Sequence, residues 1–559
     1  MTPRKRLMGV GAFTLATALV LSACGGGGGG NEGEGNGDSA GIVTVGSGEP
    51  QNPLIPTMTN EVYGGLVVRN IFAGLVRYDE NGGIENEVAA SIESEDNKVW
   101  NITLNEGWEF TDGTPVTAQS FVDGWNYGAY APNGQNLSYF FTPIEGFEEV
   151  QFAEDQLKPD GSPKEGEMPA AETMSGLEVV SDTEFNVTLT QPEADFPVRL
   201  GYAAFFPVPE SFNEDPEAFG EDPIGNGPYT LANWEHDRVL ELRPNESYAG
   251  GATVENGGID LLAYTEEDAA YNDLLDGNLD IVTNVPSSAF GTFEEQLGDR
   301  AVNQPAAVIQ VINVPEYNDK FSGEAGLKRR QAISMAIDRE AITETVYHGA
   351  RTPATDYTSP VINGWTEDLE GNEVLQYNPE EAKKLWDEAE EMDPWGDEPF
   401  YISSNADSDH QSWIDPTCNG IRDVLGIECE FDQYPVFDEF LDARDNEEIP
   451  ATGMFRGGWQ ADYPSMGNFL GPIYGTGAGS NDMGYSNKEF DAKLAEAAGA
   501  ETPEEATELY KEAQTILLED LPGIPLWYQN STGGHSEAVD NVAFGWDSDP
   551  ILTQVTKSE

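Results

Sequence analysis

A chain of 559 residues and 60.7 kDa exceeds one ordinary core and predicts two or three domains. Its 101 Asp and Glu against 27 Lys and Arg give a formal charge of −74, which excludes nucleic acid as a partner, since binding a polyanion needs a basic footprint. The acids are spread along the chain, so they read as a solvated surface suited to high salt more than as a field steering cationic ligands.

The chain opens MTPRKRLMGVGAFTLATALVLSAC. Arg4, Lys5 and Arg6 form a basic start, and Leu7 to Ala23 form an uncharged apolar stretch, the pattern of a secretory signal over residues 1–23. A membrane-spanning anchor is the alternative, the run being just long enough at about 17 residues. The ending Leu21-Ser22-Ala23-Cys24 weighs against an anchor, because it resembles the lipobox of bacterial lipoproteins. That resemblance implies that Cys24 becomes the mature N-terminus, carries lipid and holds the protein at the outer face of the cell membrane. Residues 24–41, six glycines and then almost no apolar side chain, predict a flexible tether. The glycines satisfy GxGxxG trivially, with no strand before and no helix after, so they carry no nucleotide signal.

Further along, "VWNITLNE" (99–106), "FNVTLT" (185–190) and "VLELRP" (239–244) alternate as half-buried strands. "LKRRQAISMAIDREAITETVY" (327–347) has helical spacing and predicts one helix. Asn378-Pro379-Glu380-Glu381 and Thr502-Pro503-Glu504-Glu505 each offer a cap residue, Pro at the first helical position and Glu at the third. With Cys24 lipidated, Cys418 and Cys429 remain, in "CNGIRDVLGIEC". Outside the cytoplasm they predict a disulfide stapling a helix to the next strand, a loop contributing about 2–3 kcal/mol in the entropic model. A metal on two thiols is the alternative.

The search for chemistry finds no nucleophile and base. The histidines, His236, His348, His410 and His535, are far apart, and no HExxH, GxSxG or P-loop occurs. "NADSDH" (405–410) lacks the Gly and distal Glu of a calcium loop. A secreted hydrolase working by paired carboxylates is therefore a weak reading, and no cofactor or metal is expected. A structural or adhesive surface lipoprotein would need repeats or a longer stalk.

Four extended patterns carry more. They are "KVWNITLNEGWEFTDGTPVTAQSFVDGWNYG" (98–128), "PIGNGPYTLANWEHDRVLELRPNESYAGG" (223–251), "GLKRRQAISMAIDREAI" (326–342) and "GGWQADYP" (457–464). In that order they resemble the extracellular solute-binding proteins of family 5, the oligopeptide- and dipeptide-binding proteins of ABC importers. The resemblance runs from about residue 42 to the C-terminus. It implies an α/β, periplasmic-binding-protein fold of the type 2-like class, in which two lobes close about a hinge and an extra domain makes three. Lobe I would comprise residues 42–72, 190–303 and 529–559, the extra domain 73–189, and lobe II 304–528. The resemblance further implies a monomer that captures short peptides for a membrane permease and its ATPase. Relatives that carry nickel complexes, haem or oligosaccharides leave a non-peptide solute as the alternative.

Carried onto these positions, Asp462 would pair with a peptide's α-amino group. Gly458 and Gln460 would offer backbone groups, and Trp459 would be an aromatic wall. Arg456 would meet a carboxylate, and Asn481, Tyr139 and the segment Thr57 to Asn60 would also contact ligand. From composition alone, a second possibility is that Asp462 is a core acid neutralised by Arg456.

Overall fold

The computed structural model describes residues 41–158, 162–406 and 408–557. The predicted signal, Cys24 and the tether up to residue 40 lie outside the described residues.

Strands come early. β1 (Val43–Ser47) alternates apolar residues inward and is followed by helix α1 (Val62–Ile71). β2 (Ala89–Ser94), β3 (Val99–Leu104), helix α2 (Ala118–Ala129), β4 (Leu177–Ser181) and β5 (Glu184–Thr188) come next. They build a separate four-stranded sheet, ordered β2-β3-β5-β4. α2 begins where Thr117 and Ser120 make a reciprocal cap. Its buried face sets Trp125 against Phe141, Phe185 and Phe205 with ring centroids 5.1 to 6.4 Å apart, a core of its own.

The remaining strands are β6 (Tyr229–Glu235), β7 (Val239–Pro244), β8 (Ile259–Ala263), β9 (Ile281–Val282), β10 (Ala301–Asn313), β11 (Phe400–Asn405), β12 (Cys429–Tyr434), β13 (Gly453–Gln460) and β14 (Gly523–His535). They join β1 in an eleven-stranded sheet whose path is β12-β11-β13-β10-β14-β9-β1-β8-β7-β6, with Arg351–Pro353 pairing on β14. β10 and β14 run antiparallel over their whole length, with register breaks between Pro305 and Ile309 and again after Gln310. Pro305 has no N–H to give the ladder, which accounts for an irregularity there. One apolar core lies around β1, β7 and β8, and another around β10, β11, β13 and β14.

The helical segment 327–347 is two helices, α3 (Gly323–Met335) and α4 (Arg339–Thr345). Asp338 interrupts the predicted run because its carboxylate accepts the Ala341 N–H (3.0 Å) and caps α4. The helices α5 (Pro379–Met392), α6 (Gln411–Leu425), α7 (Met466–Tyr474) and α8 (Pro503–Asp520) follow. α5 and α8 start at the expected caps: Asn378 accepts the Glu381 N–H and Thr502 the Glu505 N–H, both at 3.2 Å. A disulfide joins Cys418 on α6 to Cys429 on β12, with Cα atoms 5.1 Å apart.

Candidate ligand-binding site

β13 is a strand with one side partly open. It pairs with β10 from Phe455 opposite Asn313 to Gln460 opposite Val308. On its other side β11 reaches only Gly453, Met454 and Phe455. From Arg456 to Gln460, that edge has no strand partner, so alternate residues present backbone N–H and C=O groups outward. Gly458 suits this position, since a Cβ there would stand 3.0 Å from the Ile309 carbonyl oxygen. Gly458 and Gln460 are exposed, while Arg456 and Trp459 are half-buried.

Beyond the strand the chain turns inward. The Asp462 N–H donates to Asn468 Oδ1 (2.9 Å), and Asn468 Nδ2 donates back to Asp462 Oδ2 (3.1 Å). Trp459 Nε1 donates to the same Asn468 oxygen (3.0 Å). Asn468 lies in the first turn of α7, whose cap Ser465 accepts the Gly467 N–H and gives its own hydroxyl proton to Asp195 (2.6 Å). Burial pushes the Asp462 carboxyl up to about 6, against the opposing pull of Asn468 and of the Arg199 charge. Arg199 is itself committed: it is paired with Glu193 and lies 5.1 Å over the Tyr463 ring.

Asp462 therefore has a hydrogen-bond partner and no cation within ion-pair distance among the described residues. Neutralisation by Arg456 is overturned. Six residues along an extended strand span about 20 Å, and the Arg456 guanidinium lies beside Gly458 instead, with Nη2 3.9 Å from where a Cβ on that glycine would stand.

Asp462, Gln460 and Ala461 form one wall of a cavity of about 180 Å³. Residues 59–62, Gly65, Arg69, Tyr78, residues 201–203, Trp546, Asp547 and Asp549 contribute the rest. Of the four carboxylates on this lining, Asp547 and Asp549 are engaged by Arg69. Asn60 lines the cavity, its Oδ1 accepting from Asn52 (3.2 Å) and Asn136 (3.3 Å). Within the same segment Thr57 is buried and donates to Gln135. Tyr139 is half exposed, 4.6 Å from Phe140, which stacks on Tyr202 at 4.3 Å. Tyr202 lines the cavity with Asp462, whereas Tyr139 is not on its lining; desolvation first, and then the Asp462 charge, push both phenols up.

Two expectations change. Asn481 does not face this cavity: its Nδ2 donates to the Gly475 and Tyr485 carbonyls and its Oδ1 accepts the Tyr485 N–H, so its amide braces a loop. Trp459 packs on the core and steadies Asn468 rather than walling the cavity. Asn468 and Arg69 are the participants that sequence reasoning missed. Asn468 stands six residues after Asp462, but nothing in its spacing marks an asparagine as an acid's partner.

Among the described residues, no group of three or more His, Cys, Asp or Glu is arranged to hold a metal ion, and no helix is long and apolar enough to cross a membrane. Residues 83–481 match the family described as bacterial extracellular solute-binding proteins, family 5 middle, a match over more than half the chain. The oligopeptide-binding protein OppA of Bacillus subtilis is 26% identical over 560 residues, covering 96% of this chain and 97% of that protein. The periplasmic murein peptide-binding protein MppA of Escherichia coli is 27% identical over 474 residues, covering 84% and 83%. The fold is that of the unliganded open form of MppA (TM-score 0.76, 23% identity, 93% of this chain and 98% of the other). Haemophilus influenzae OppA in complex with RPPGFSPFR is also similar (TM-score 0.67, 22% identity, 93% and 100%). On that match the chain belongs to the bacterial extracellular solute-binding proteins of family 5, whose work is to bind a solute and not to transform it.

Proposed function

We propose that this protein is the lipid-anchored substrate-binding component of an ABC importer and that it captures short extracellular peptides. One observation carries the reading: a half-buried carboxylate with no cation within ion-pair distance among the described residues, Asp462, stands at the end of an unpaired strand edge, 456–460. An extended peptide adds a strand to that edge through the backbone of Gly458 and Gln460, and its α-ammonium supplies the charge that Asp462 lacks. Arg456 then meets a ligand carboxylate, and Asn60 and Tyr139 frame the amino end. The names of the relatives support a peptide ligand, several being oligopeptide- or dipeptide-binding proteins.

In this reading residues 42–72, 190–303 and 529–559 form one lobe, 304–528 the other and 73–189 the extra domain. β10 and β14 run between the lobes, and closure about them presents the loaded shape to the permease. Cys24 carries the anchor. Calorimetry with free and N-acetylated tripeptides tests the ligand: acetylation is expected to weaken binding at least tenfold. Equal affinity for both would overturn ammonium capture.

A further inference from the structure

Asp462 stays uncompensated although a cation stands beside it. Arg199 ends a short helix (Phe196–Arg199), and its guanidinium lies 5.1 Å over the ring of Tyr463, the neighbour of Asp462 in the chain. Among the described residues no ion pair joins it to Asp462. Instead Arg199 Nε (3.1 Å) and Nη2 both donate to Glu193 Oε1. The two side chains are 16% and 13% exposed, so water screens the pair little. Desolvation works against the guanidinium charge, but Glu193, Tyr463 and Asp195 outweigh it and hold the group above its ordinary value. Arg69, the cation across the cavity, is likewise taken, by Asp547 and Asp549.

The acids that claim Arg199 are fixed by contacts that also reach the Asp462 loop. The Glu193 N–H donates to the Asn97 carbonyl (2.8 Å), and the Ala194 N–H to the Ala498 carbonyl (2.7 Å). Asp195 is buried and accepts the hydroxyl of Ser465, three residues after Asp462. Between Asp462 and Ser465, Tyr463 enters the apolar core around α2, whereas Ala461 and Met466 belong to the core around β10 and β13. The same few contacts therefore set Arg199 and Asp462 side by side while giving Arg199 to other acids. Replacing a buried ion pair by apolar residues is often neutral or stabilising, so packing alone does not call for this one.

We propose that Glu193 and Asp195 are specificity-determining positioning residues, which hold Arg199 off Asp462 and so leave that carboxylate for a cation brought by the ligand. This rests on the peptide reading and adds the residues that make the ligand's ammonium a requirement. Released from the two acids, Arg199 would turn its charge on Asp462, and a ligand without an ammonium would bind about as well as one with it. The Arg199 charge already acts on Asp462, against the desolvation that pushes its carboxyl up. The phenols of Tyr78, Tyr139, Tyr202 and Tyr463 also feel the Asp462 charge; burial first, and then charge, push all four up, so they stay neutral at neutral pH and below. Glu61, Arg69, Asp547 and Asp549 are the charged groups that share the cavity with Asp462.

The test is calorimetry on the full chain with trialanine as the free and as the N-acetylated peptide, repeated across pH. In the wild type, acetylation is expected to weaken binding at least tenfold. Glu193→Gln keeps an acceptor for Arg199 but removes its charge, and the acetylation penalty should fall to about threefold. In Glu193→Gln/Asp195→Asn it should fall to about twofold or less, through weaker binding of the free peptide alone. The acid-side loss of free-peptide affinity, near pH 6 in the wild type, should move down in these variants and up in Arg199→Gln. Arg199→Gln keeps the test open should the acid variants not fold, and opposite movements are a signature that packing does not produce. An equal weakening of free and acetylated peptide in the acid variants gives Glu193 and Asp195 a structural role only and overturns the proposal. An unaltered acetylation penalty there, or a pH profile that Arg199→Gln leaves in place, overturns it too; each of these leaves ammonium capture intact. Equal binding of acetylated and free peptide by the wild type instead overturns the reading on which it rests.

Discussion

Asp462 is held in a protein that pays for it when empty. Its folded carboxyl titrates near 6 against 3.8 for an ordinary Asp, so between those values the folded chain binds more protons than the unfolded one. Its ionised form therefore lowers stability above pH 6, and that burden disappears as pH falls below about 4. Asp462→Asn is expected to raise the thermal midpoint at pH 7.5, with little change at pH 3.5, while weakening free-peptide binding at least tenfold; melts and calorimetry at both pH values check the pair. In the wild type, peptide affinity should fall as pH drops below 6, because protonation removes the charge that an ammonium needs. Asn468→Ala removes the shared partner of the Trp459 indole, the Asp462 N–H and the Asp462 carboxylate. It should destabilise by about 1–3 kcal/mol in a urea melt and weaken binding as well.

Elements show what local sequence can and cannot encode. Helices α5 and α8 begin where Asn378-Pro379 and Thr502-Pro503 announce them, because a cap and a fixed φ act over four residues. The run 327–347 was half legible: apolar spacing is the same in one helix or two, and a capping aspartate decides between them. β13 was recognisable only through its motif, since two adjacent glycines do not read as a strand. Its glycines make sense only beside β10. Gly458→Ala puts a methyl group 3.0 Å from a backbone oxygen that cannot swing aside, and is expected to cost about 1–2 kcal/mol of stability and to weaken peptide binding, measured by denaturation and titration.

At the scale of the whole molecule, the cavity gathers residues 59–62, Arg69, Tyr78, residues 201–203 and 460–462, Trp546, Asp547 and Asp549, which no periodicity or spacing could bring together. That is why Asp462 was visible as an acid in need of a partner while Arg69, across the cavity, was not visible as its neighbour. The long-range pairing of β10 with β14 decides which edge of β13 is covered and which is open. The −74 charge acts on the same scale: the folded state should lose stability as salt is withdrawn, with a falling thermal midpoint between about 1 M and 0.01 M, where screening lengths grow from 3 to 30 Å. A crystal structure of the protein with a bound free peptide tests ammonium capture head-on. The peptide's ammonium is expected on the Asp462 carboxylate, with its backbone paired along 456–460. A peptide bound elsewhere, with Asp462 still joined only to Asn468, would contradict it.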